Sequence, residues 1–241
     1  MKKDNFTIGI LGGMGTYATI NLFRQYAEIF EANKEWDRPR IIIDNRCTMP
    51  SRVRAFLYKE NVDELIKQMS ESIRNLINMG GDNVKIILAC NTSHLFLPRI
   101  YELVPEAKNK IVDLISNSVN QIQLDNVNKI YILGSEGTIE SGVYNKEFEK
   151  KGIECQVPEQ KEYIMLRDCI EAVKQNKYSD DIENKFIELM SKGDTILLGC
   201  TELPILYQMY KEKIKNKKIY DPVLIVLKKL RDEYNKNTLE I

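Results

Sequence analysis

Short aliphatic runs alternate with longer amphipathic stretches along the whole chain. The runs lack the apolar–polar alternation of half-buried strands, which favours strands buried on both faces of a parallel sheet. Strands are predicted near residues 6–11, 40–45, 84–89, 129–133, 153–157, 194–198 and 217–220. Helices are predicted near residues 16–33, 61–79, 92–102, 114–124, 139–151, 160–175, 179–191, 201–213 and 222–235. This alternation predicts an α/β fold with mostly parallel sheets flanked by helices.

Two patterns occur twice, which indicates an internal duplication. An aliphatic strand followed by glycine and a turn occurs at Ile8–Gly13 and at Ile130–Ser135. An aliphatic run that ends in a small residue and a cysteine occurs at Lys85–Thr92 and at Asp194–Thr201. Repeats of this size are typical of a fold built from two similar units.

The duplication predicts two pseudo-symmetric lobes with a cleft between them. Residues 1–115 plus 222–241 are expected to form the first lobe and residues 116–221 the second. The last helix, beginning at Asp221-Pro222, would then pack back on the first lobe. A single continuous sheet is the alternative.

Cys90 and Cys200 each follow an aliphatic run and precede a helical pattern. The carboxyl ends of parallel strands are where open α/β sheets bind ligands, and a helix amino terminus there favours thiolate. If the lobes face one another, one thiol can remove a proton from a small substrate while the other supplies one. Alternatively, both thiols only pack as small apolar groups. Cys47, Cys155 and Cys169 lack this context, which favours a paired role for Cys90 and Cys200.

Four further features are candidates for ligand binding. The turn at Gly12–Gly15 could hold a carboxylate or phosphate on backbone N–H groups, but it matches neither a Walker A loop nor a dinucleotide fingerprint. Arg52 follows the second strand and could bind a carboxylate through two hydrogen bonds, although an exposed arginine is the simpler interpretation. Lys174 ends a helix, where a cation also favours the helix dipole. His94, the only histidine, is expected to orient a helix start.

The composition favours a small-molecule partner. Lys plus Arg and Asp plus Glu each number 35, so no net charge attracts nucleic acid or a membrane. The sequence has no secretory segment and no run of about eighteen apolar residues, and we expect a cytoplasmic protein. Its 5 cysteines show neither a CxxC pair nor Cys/His spacing, which favours reduced thiols and no metal site.

These motifs resemble those of the cofactor-independent aspartate/glutamate racemase family over nearly the whole chain. The resemblance is carried by Gly9–Gly15 with Ala18-Thr19, Pro50–Arg52, Cys90–His94, Leu133–Thr138 with Tyr144, Val173-Lys174, Gly199–Glu202 and Asp221-Pro222. It implies an active site in the cleft between two α/β lobes, with neither pyridoxal phosphate nor a metal ion. The two cysteines would act as acid and base on opposite faces of the substrate α-carbon.

Within this family, the chain resembles the aspartate racemase branch. Glutamate racemases typically have an Asp-Ser pair where this chain has Gly13–Gly15, and histidine in place of Glu202. The resemblance implies that Arg52 and Lys174 bind substrate carboxylates and that residues 91–93 hold the α-carboxylate. The implied substrate-binding set is Met14, Gly15, Arg52, Asn91, Thr92, Ser93, Thr138, Lys174, Thr201 and Glu202. One departure is Thr16, which stands where the family commonly has proline.

The sequence therefore predicts an isomerase that interconverts L- and D-aspartate by a two-thiol mechanism without a cofactor. Its expected partner is a small acidic amino acid, and a homodimer is left open. A glutamate or broad-specificity racemase of the same family is one alternative. The other is a non-catalytic amino-acid-binding protein that keeps the cleft.

Overall fold

A computed structural model of the chain describes residues 6–239. The first sheet contains β1 (Thr7–Gly12), β2 (Arg40–Asn45) and β3 (Val84–Leu88), all parallel, in the order β2-β1-β3. A single parallel bridge between Ile86 and Ile111 adds a fourth position beside β3. The strands β1 and β3 are buried on both faces, which is the environment that their aliphatic runs without polar alternation predict.

The second sheet repeats this arrangement. It contains β4 (Lys129–Gly134), β5 (Glu154–Gln156), β6 (Thr195–Gly199) and β7 (Lys218–Tyr220), all parallel, in the order β5-β4-β6-β7. The second strand of each unit is at one edge, the first and third are central, and the fourth position lies on the far side of the third. The predicted α/β fold of two similar lobes is therefore confirmed, and the single continuous sheet is excluded.

Eleven α-helices flank the two sheets within the described residues. They are α1 (Thr16–Ile29), α2 (Arg52–Tyr58), α3 (Val62–Gly80), α4 (Leu97–Leu103), α5 (Leu114–Leu124), α6 (Glu136–Ser141), α7 (Val143–Glu149), α8 (Tyr163–Gln175), α9 (Asp180–Ser191), α10 (Leu203–Tyr210) and α11 (Pro222–Leu239). Short 3-10 helices occupy Glu35–Asp37, Thr92–Phe96, Pro105–Asn109, Gln160–Glu162 and Lys211–Lys213. None of the helices in residues 6–239 is long and apolar enough to cross a membrane.

One observed helix was not predicted and two predicted helices differ from those observed, each for a local reason. Helix α2 was not predicted: the Ser51 side chain caps it by accepting from Arg54 N at 3.3 Å, and it ends at left-handed Lys59. The single helix predicted near 139–151 is divided into α6 and α7 at Gly142, which has a φ of 60°. The helix predicted near 92–102 begins with a 3-10 turn, and its α-helical part has proline in its first turn.

Apolar side chains on both faces of each sheet form the core. In the first lobe, α3 and α4 cover one face and α1 and α11 cover the other, where Val226, Leu227 and Leu230 meet Ile8 and Ile10. In the second lobe, α8, α9 and α10 cover one face and α5 and α7 the other. The last helix thus packs against the first sheet.

The exact division between the lobes stays a prediction. The predicted boundary at 115/116 falls inside α5, which contacts both α7 and α11. Residues 1–5 and 240–241, assigned by the sequence to the first lobe, lie outside the described residues.

Asp221 connects α11 to α1, and its loss should destabilise the fold. Its Oδ1 accepts from Val223 N at 2.9 Å, and its Oδ2 accepts from the Gln25 side-chain amide at 2.6 Å. Asp221→Ala removes the cap and leaves a buried amide without its acceptor, so the free energy of unfolding should fall by about 2 kcal/mol. Asp221→Asn keeps a capping oxygen and should lose less. Urea unfolding measures both, and equal losses in the two variants would contradict the capping role.

Candidate active site

A small cavity of about 50 Å³ lies between the lobes, at the carboxyl ends of β3 and β6. Cys90 follows β3 and Cys200 follows β6, and both side chains line this cavity. The other lining residues are Met14, Ser51, Arg52, Val53, Asn91, Thr92, Ser135, Ile170, Lys174, Gly199, Thr201 and Glu202. The duplicated fold therefore brings together two thiols that are distant in sequence.

A cluster of three hydroxyl groups joins the lobes beside the cavity. The Thr92 hydroxyl lies 2.8 Å from the Ser135 hydroxyl and 2.9 Å from the Thr138 hydroxyl, and the latter two are 3.1 Å apart. Ser135 also caps α6. Thr138, a predicted substrate-binding residue, does not line the cavity; it lies buried behind Thr92 and holds that side chain in place.

Asn91 is held from the second lobe with its amide nitrogen left free. The Tyr144 hydroxyl donates to Asn91 Oδ1 at 2.6 Å, while Asn91 Nδ2 has no partner although the residue is 2% exposed. The oxygen is thereby engaged, and a buried donor remains on a residue that lines the cavity. Such a donor suits an anionic oxygen of a ligand.

The side chains of Ser93 and His94 both hydrogen-bond to the backbone carbonyl of Cys90. The Ser93 hydroxyl donates to the Cys90 carbonyl at 2.6 Å, and Ser93 does not line the cavity. Leu114 N donates to His94 Nε2 at 3.1 Å, which leaves Nδ1 to carry the proton and donate to the Cys90 carbonyl at 3.2 Å. Burial lowers the pKa of His94, so the imidazole is neutral and structural.

Cys200 and Glu202 form a direct hydrogen bond. The Cys200 thiol donates to Glu202 Oε2 at 2.9 Å, and the Thr201 hydroxyl lies 3.4 Å from the same oxygen. The stronger contact of that hydroxyl is to the Ala89 carbonyl of the first lobe, at 3.1 Å. Burial raises the pKa of the Cys200 thiol well above its usual range; the charge of Glu202 raises it further, while Lys174 acts in the opposite direction.

Gly15 makes room for the Glu202 carboxylate. A Cβ at this position would lie 2.0 Å from Glu202 Oε1, far inside van der Waals contact. The backbone here is extended, with φ at 171°, so the reason for glycine is close approach and not backbone conformation. Gly15 therefore shapes the site by the space that it leaves.

The two basic residues of the site are already partly engaged. Arg52 donates through Nη1 to the Pro50 carbonyl at 3.0 Å and through Nη2 to the Met14 carbonyl at 2.7 Å, leaving its buried Nε without a partner. Lys174 Nζ is 2.7 Å from Glu171 Oε1. Burial lowers the pKa of Lys174, but the Glu171 hydrogen bond and the charges of Glu202 and Cys200 outweigh it and raise the pKa.

Three unpartnered buried polar atoms belong to residues that line the cavity. They are Arg52 Nε, Asn91 Nδ2 and Glu202 Oε1, half of the 6 such atoms among the described residues. Two are donors and one is a carboxylate oxygen. Each could make one further hydrogen bond, the two donors to an anionic group and the carboxylate oxygen to a cationic one.

Five lining residues are absent from the site predicted from the sequence: Ser51, Val53, Ser135, Ile170 and Gly199. Ser51, Ser135 and Gly199 lie within motifs that carry the family resemblance. Ser135 directly follows β4, so the rule that ligands bind beyond strand ends could have found it. Val53 and Ile170 are ordinary helical residues that only the packing of α2 and α8 brings to the cavity. Among the described residues, no group of three or more His, Cys, Asp or Glu side chains is placed to hold a metal ion.

A larger chamber of about 370 Å³ adjoins the small cavity. The two share Ser51, Val53, Ser135, Ile170 and Lys174. The chamber is also lined by Arg54, Tyr58, Glu136, Tyr163, Leu166, Arg167 and Glu171. Its charged residues are largely paired, since Arg167 contacts Glu136 and Lys174 contacts Glu171.

The family model described as Asp/Glu/Hydantoin racemase matches residues 11–230, and the chain belongs to this family. It is 23% identical over 178 residues to the glutamate racemase of Aquifex aeolicus, and 26% identical over 208 residues to the broad specificity amino-acid racemase RacX of Bacillus subtilis. The first match covers 70% of this chain and 65% of that protein; the second covers 81% and 85%. The chain thus spans less than two thirds of the Aquifex aeolicus protein. A third relative, the glutamate racemase of Staphylococcus carnosus, is 27% identical over 131 residues. That match covers 51% of this chain and 47% of the Staphylococcus carnosus protein.

Solved structures share the same fold. The aspartate racemase of Picrophilus torridus superposes with a TM-score of 0.73 at 23% identity, covering 95% of this chain and 97% of that one. A glutamate racemase of Francisella tularensis, solved in complex with D-glutamate, gives a TM-score of 0.69 at 23% identity and covers 98% and 83%. Both likenesses are to two-lobed α/β racemases.

The buried neutral state of His94 predicts a pH effect on stability. Because burial lowers the pKa of His94 from its usual 6.5, the unfolded chain binds a proton that the folded chain does not as the pH falls below about 6.5. His94 should therefore contribute a loss of stability on acidification, up to about 1.4 kcal/mol per pH unit. His94→Gln can keep both hydrogen bonds but cannot titrate, so its stability should converge on that of the wild type as the pH falls. The free energy of unfolding of both proteins, measured in urea at several pH values across this range, tests the prediction. A difference between wild type and His94→Gln that does not change with pH would show that His94 is not buried in its neutral form.

Proposed function

We propose that this protein is an amino-acid racemase that uses Cys90 and Cys200 as its acid and base, with aspartate as the first candidate substrate. The observation that carries the proposal is the position of the two thiols, which follow equivalent strands of the two sheets and line one small cavity. Inversion of a carbon centre needs one group to remove a proton and another to supply one from the opposite side. A protein that only binds amino acids has no use for two such thiols.

The proposed reaction begins when one cysteine, as thiolate, removes the α-hydrogen of the bound amino acid. The other cysteine, as thiol, then protonates the opposite face of the α-carbon. An amino-acid α-hydrogen is a far weaker acid than a thiol of pKa about 8.5, so the site must lower the barrier by other means. The groups available are donors that stabilise the carboxylate as it gains enolate character.

The unpartnered polar atoms support an amino acid as the ligand. Asn91 Nδ2 and Arg52 Nε can donate to carboxylate oxygens, and Glu202 Oε1 can accept from the ammonium group. Thr92 lies beside Asn91 in the cavity wall, with its hydroxyl oriented by Ser135 and Thr138. Ser93 and Thr138 would act by supporting the residues that face the substrate.

Aspartate is the first candidate because Arg52 and Lys174 both border the cavity and could bind a second carboxylate. The relatives support acidic substrates generally, since those named above include both aspartate and glutamate racemases. Glutamate is therefore the alternative among acidic substrates.

A broad-specificity racemase is the second candidate function. The adjoining chamber of about 370 Å³ has an apolar lining from Val53, Leu166 and Ile170 and could accept side chains larger than that of aspartate. The match to RacX covers most of both chains. A cytoplasmic location, an acidic amino acid as the partner, and a homodimer stay predictions of the sequence.

Cys90→Ala and Cys200→Ala should each reduce racemisation by about 10²–10⁴-fold, because each removes the only acid or base on one face of the substrate. The assay follows optical rotation of L- and D-amino acids with dialysed, chelator-treated protein and no added cofactor. Cys47→Ala is the matched control: this exposed thiol does not line the cavity, and its loss should leave the rate unchanged. Near-normal turnover in Cys90→Ala or Cys200→Ala would refute the two-thiol mechanism. If the wild type loses activity after chelator treatment and a divalent ion restores it, the expectation that no metal is needed is refuted.

Arg52→Ala should reduce kcat/KM for aspartate more than for a slowly racemised neutral amino acid. A charge-assisted hydrogen bond to the substrate side chain contributes about 1.5–3 kcal/mol, or roughly a 10- to 150-fold loss for aspartate. Because Arg52 also holds the Met14 and Pro50 carbonyls, the neutral substrate measures the loss that comes from the loop alone. Equal losses would show that Arg52 only shapes the site. Comparable wild-type rates for aspartate and leucine would favour the broad-specificity alternative.

A further inference from the structure

The two thiols of the cavity have different electrostatic surroundings. The Cys200 thiol donates to the Glu202 carboxylate at 2.9 Å. In the described part of the chain, no carboxylate makes a hydrogen bond with the Cys90 thiol, although its backbone carbonyl accepts from Ser93 and His94. The near-symmetric fold thus contains an asymmetric pair of cysteines.

We propose that Glu202 keeps Cys200 protonated in the free protein, so that Cys90 is the resting base and Cys200 the resting acid. This assignment rests on the proposed two-thiol function. It makes Glu202 a positioning residue that acts on the reaction through Cys200. The physical reason is that a thiolate at Cys200 would place two negative charges within hydrogen-bonding distance in a buried site.

The structure holds Glu202 in this contact. The residue is 3% exposed, Gly15 leaves room for its Oε1, and the Thr201 hydroxyl lies 3.4 Å from its Oε2. With so little solvent around it, the carboxylate acts on the thiol with little screening by water. A rotation away from Cys200 would have to displace packed neighbours.

The other charged groups around Cys200 do not cancel this effect. Lys174 favours a thiolate, but its ammonium group is 2.7 Å from Glu171 Oε1 and shares its charge with that carboxylate. Arg52 borders the cavity with two of its nitrogens bound to backbone carbonyls. A negative charge on Cys90 would further disfavour ionisation of Cys200.

The proton balance of one turnover follows from this assignment. An enantiomer whose α-hydrogen faces Cys90 transfers that proton to the Cys90 thiolate, and the Cys200 thiol gives its proton to the opposite face. The product leaves Cys90 as a thiol and Cys200 as a thiolate beside Glu202. Return of a proton to Cys200 through solvent and loss of one from Cys90 restore the resting form, with no net consumption of protons.

The pH dependence of alkylation tests the assignment in the absence of substrate. The protein is treated with iodoacetamide from about pH 6 to about pH 11, and the Cys90 and Cys200 peptides are quantified separately by mass spectrometry. A Cys200 rate that is still rising at the upper limit places the Cys200 midpoint above that pH. The midpoint of each rate profile is compared, because burial changes the plateau rate while the midpoint follows ionisation. In the wild type, the Cys90 midpoint should lie below that of Cys200. In Glu202→Gln, the Cys200 midpoint should fall by about 1–3 pH units and the Cys90 midpoint should move less.

Two further variants serve as controls. Glu136→Gln also removes one negative charge, but from the adjoining chamber of about 370 Å³. Glu136 is paired with Arg167 and makes no hydrogen bond to Cys200, so the Cys200 midpoint should not change. Glu202→Asp keeps the negative charge and should leave the Cys200 midpoint closer to the wild-type value than glutamine does. Circular dichroism establishes that each variant is folded, and if Glu202→Gln is not, the wild-type order of midpoints decides the question.

Two outcomes would overturn the assignment: a wild-type Cys200 midpoint at or below that of Cys90, or a Cys200 midpoint unchanged in folded Glu202→Gln. Both are independent of turnover. A protein that shows the expected midpoints but racemises no amino acid would instead refute the proposed function and leave the Cys200–Glu202 contact established.

Discussion

The buried hydrogen bonds that cross from one lobe to the other determine the geometry of the candidate active site. Three contacts surround the cavity: Tyr144 to Asn91, Thr201 to the Ala89 carbonyl, and the Thr92 hydroxyl to Ser135 and Thr138. Each joins a residue that follows one sheet to a residue of the other half. Because an unpaired polar group in such surroundings is costly, these bonds define how closely the strand ends approach.

This junction explains why the cavity is both small and polar. The carboxyl ends of β3 and β6 lie beside one another, so the two thiols line the same cavity of about 50 Å³. The junction engages polar groups of Asn91, Thr92, Ser135 and Thr201. Three polar atoms of lining residues, Arg52 Nε, Asn91 Nδ2 and Glu202 Oε1, have no partner. Residues such as Ser93, Thr138 and His94 are buried behind the cavity, where they fix the groups that face it.

The two halves of the site differ most at the residues after each cysteine. Asn91 follows Cys90 and presents an amide donor, whereas Thr201 and Glu202 follow Cys200 and place a carboxylate on the thiol. A pseudo-twofold fold supplies equivalent backbone positions, and the side chains make them chemically distinct. Under the proposed two-thiol mechanism, this difference sets the proton distribution from which each turnover begins.

The sequence by itself determined the α/β class, the two repeated strand motifs and the position of both cysteines at strand ends. These features depend on local patterns, since an aliphatic run such as 84–88 needs only its own residues to indicate a buried strand. The tertiary structure alone decided that Ser51 begins a helix, that Arg52 binds the Met14 carbonyl, and that Gly15 gives space to Glu202. It also placed Ile170 against the cavity and Thr138 behind it. Such contacts join residues far apart in the chain, and their distances depend on how two complete lobes pack, which no local pattern encodes.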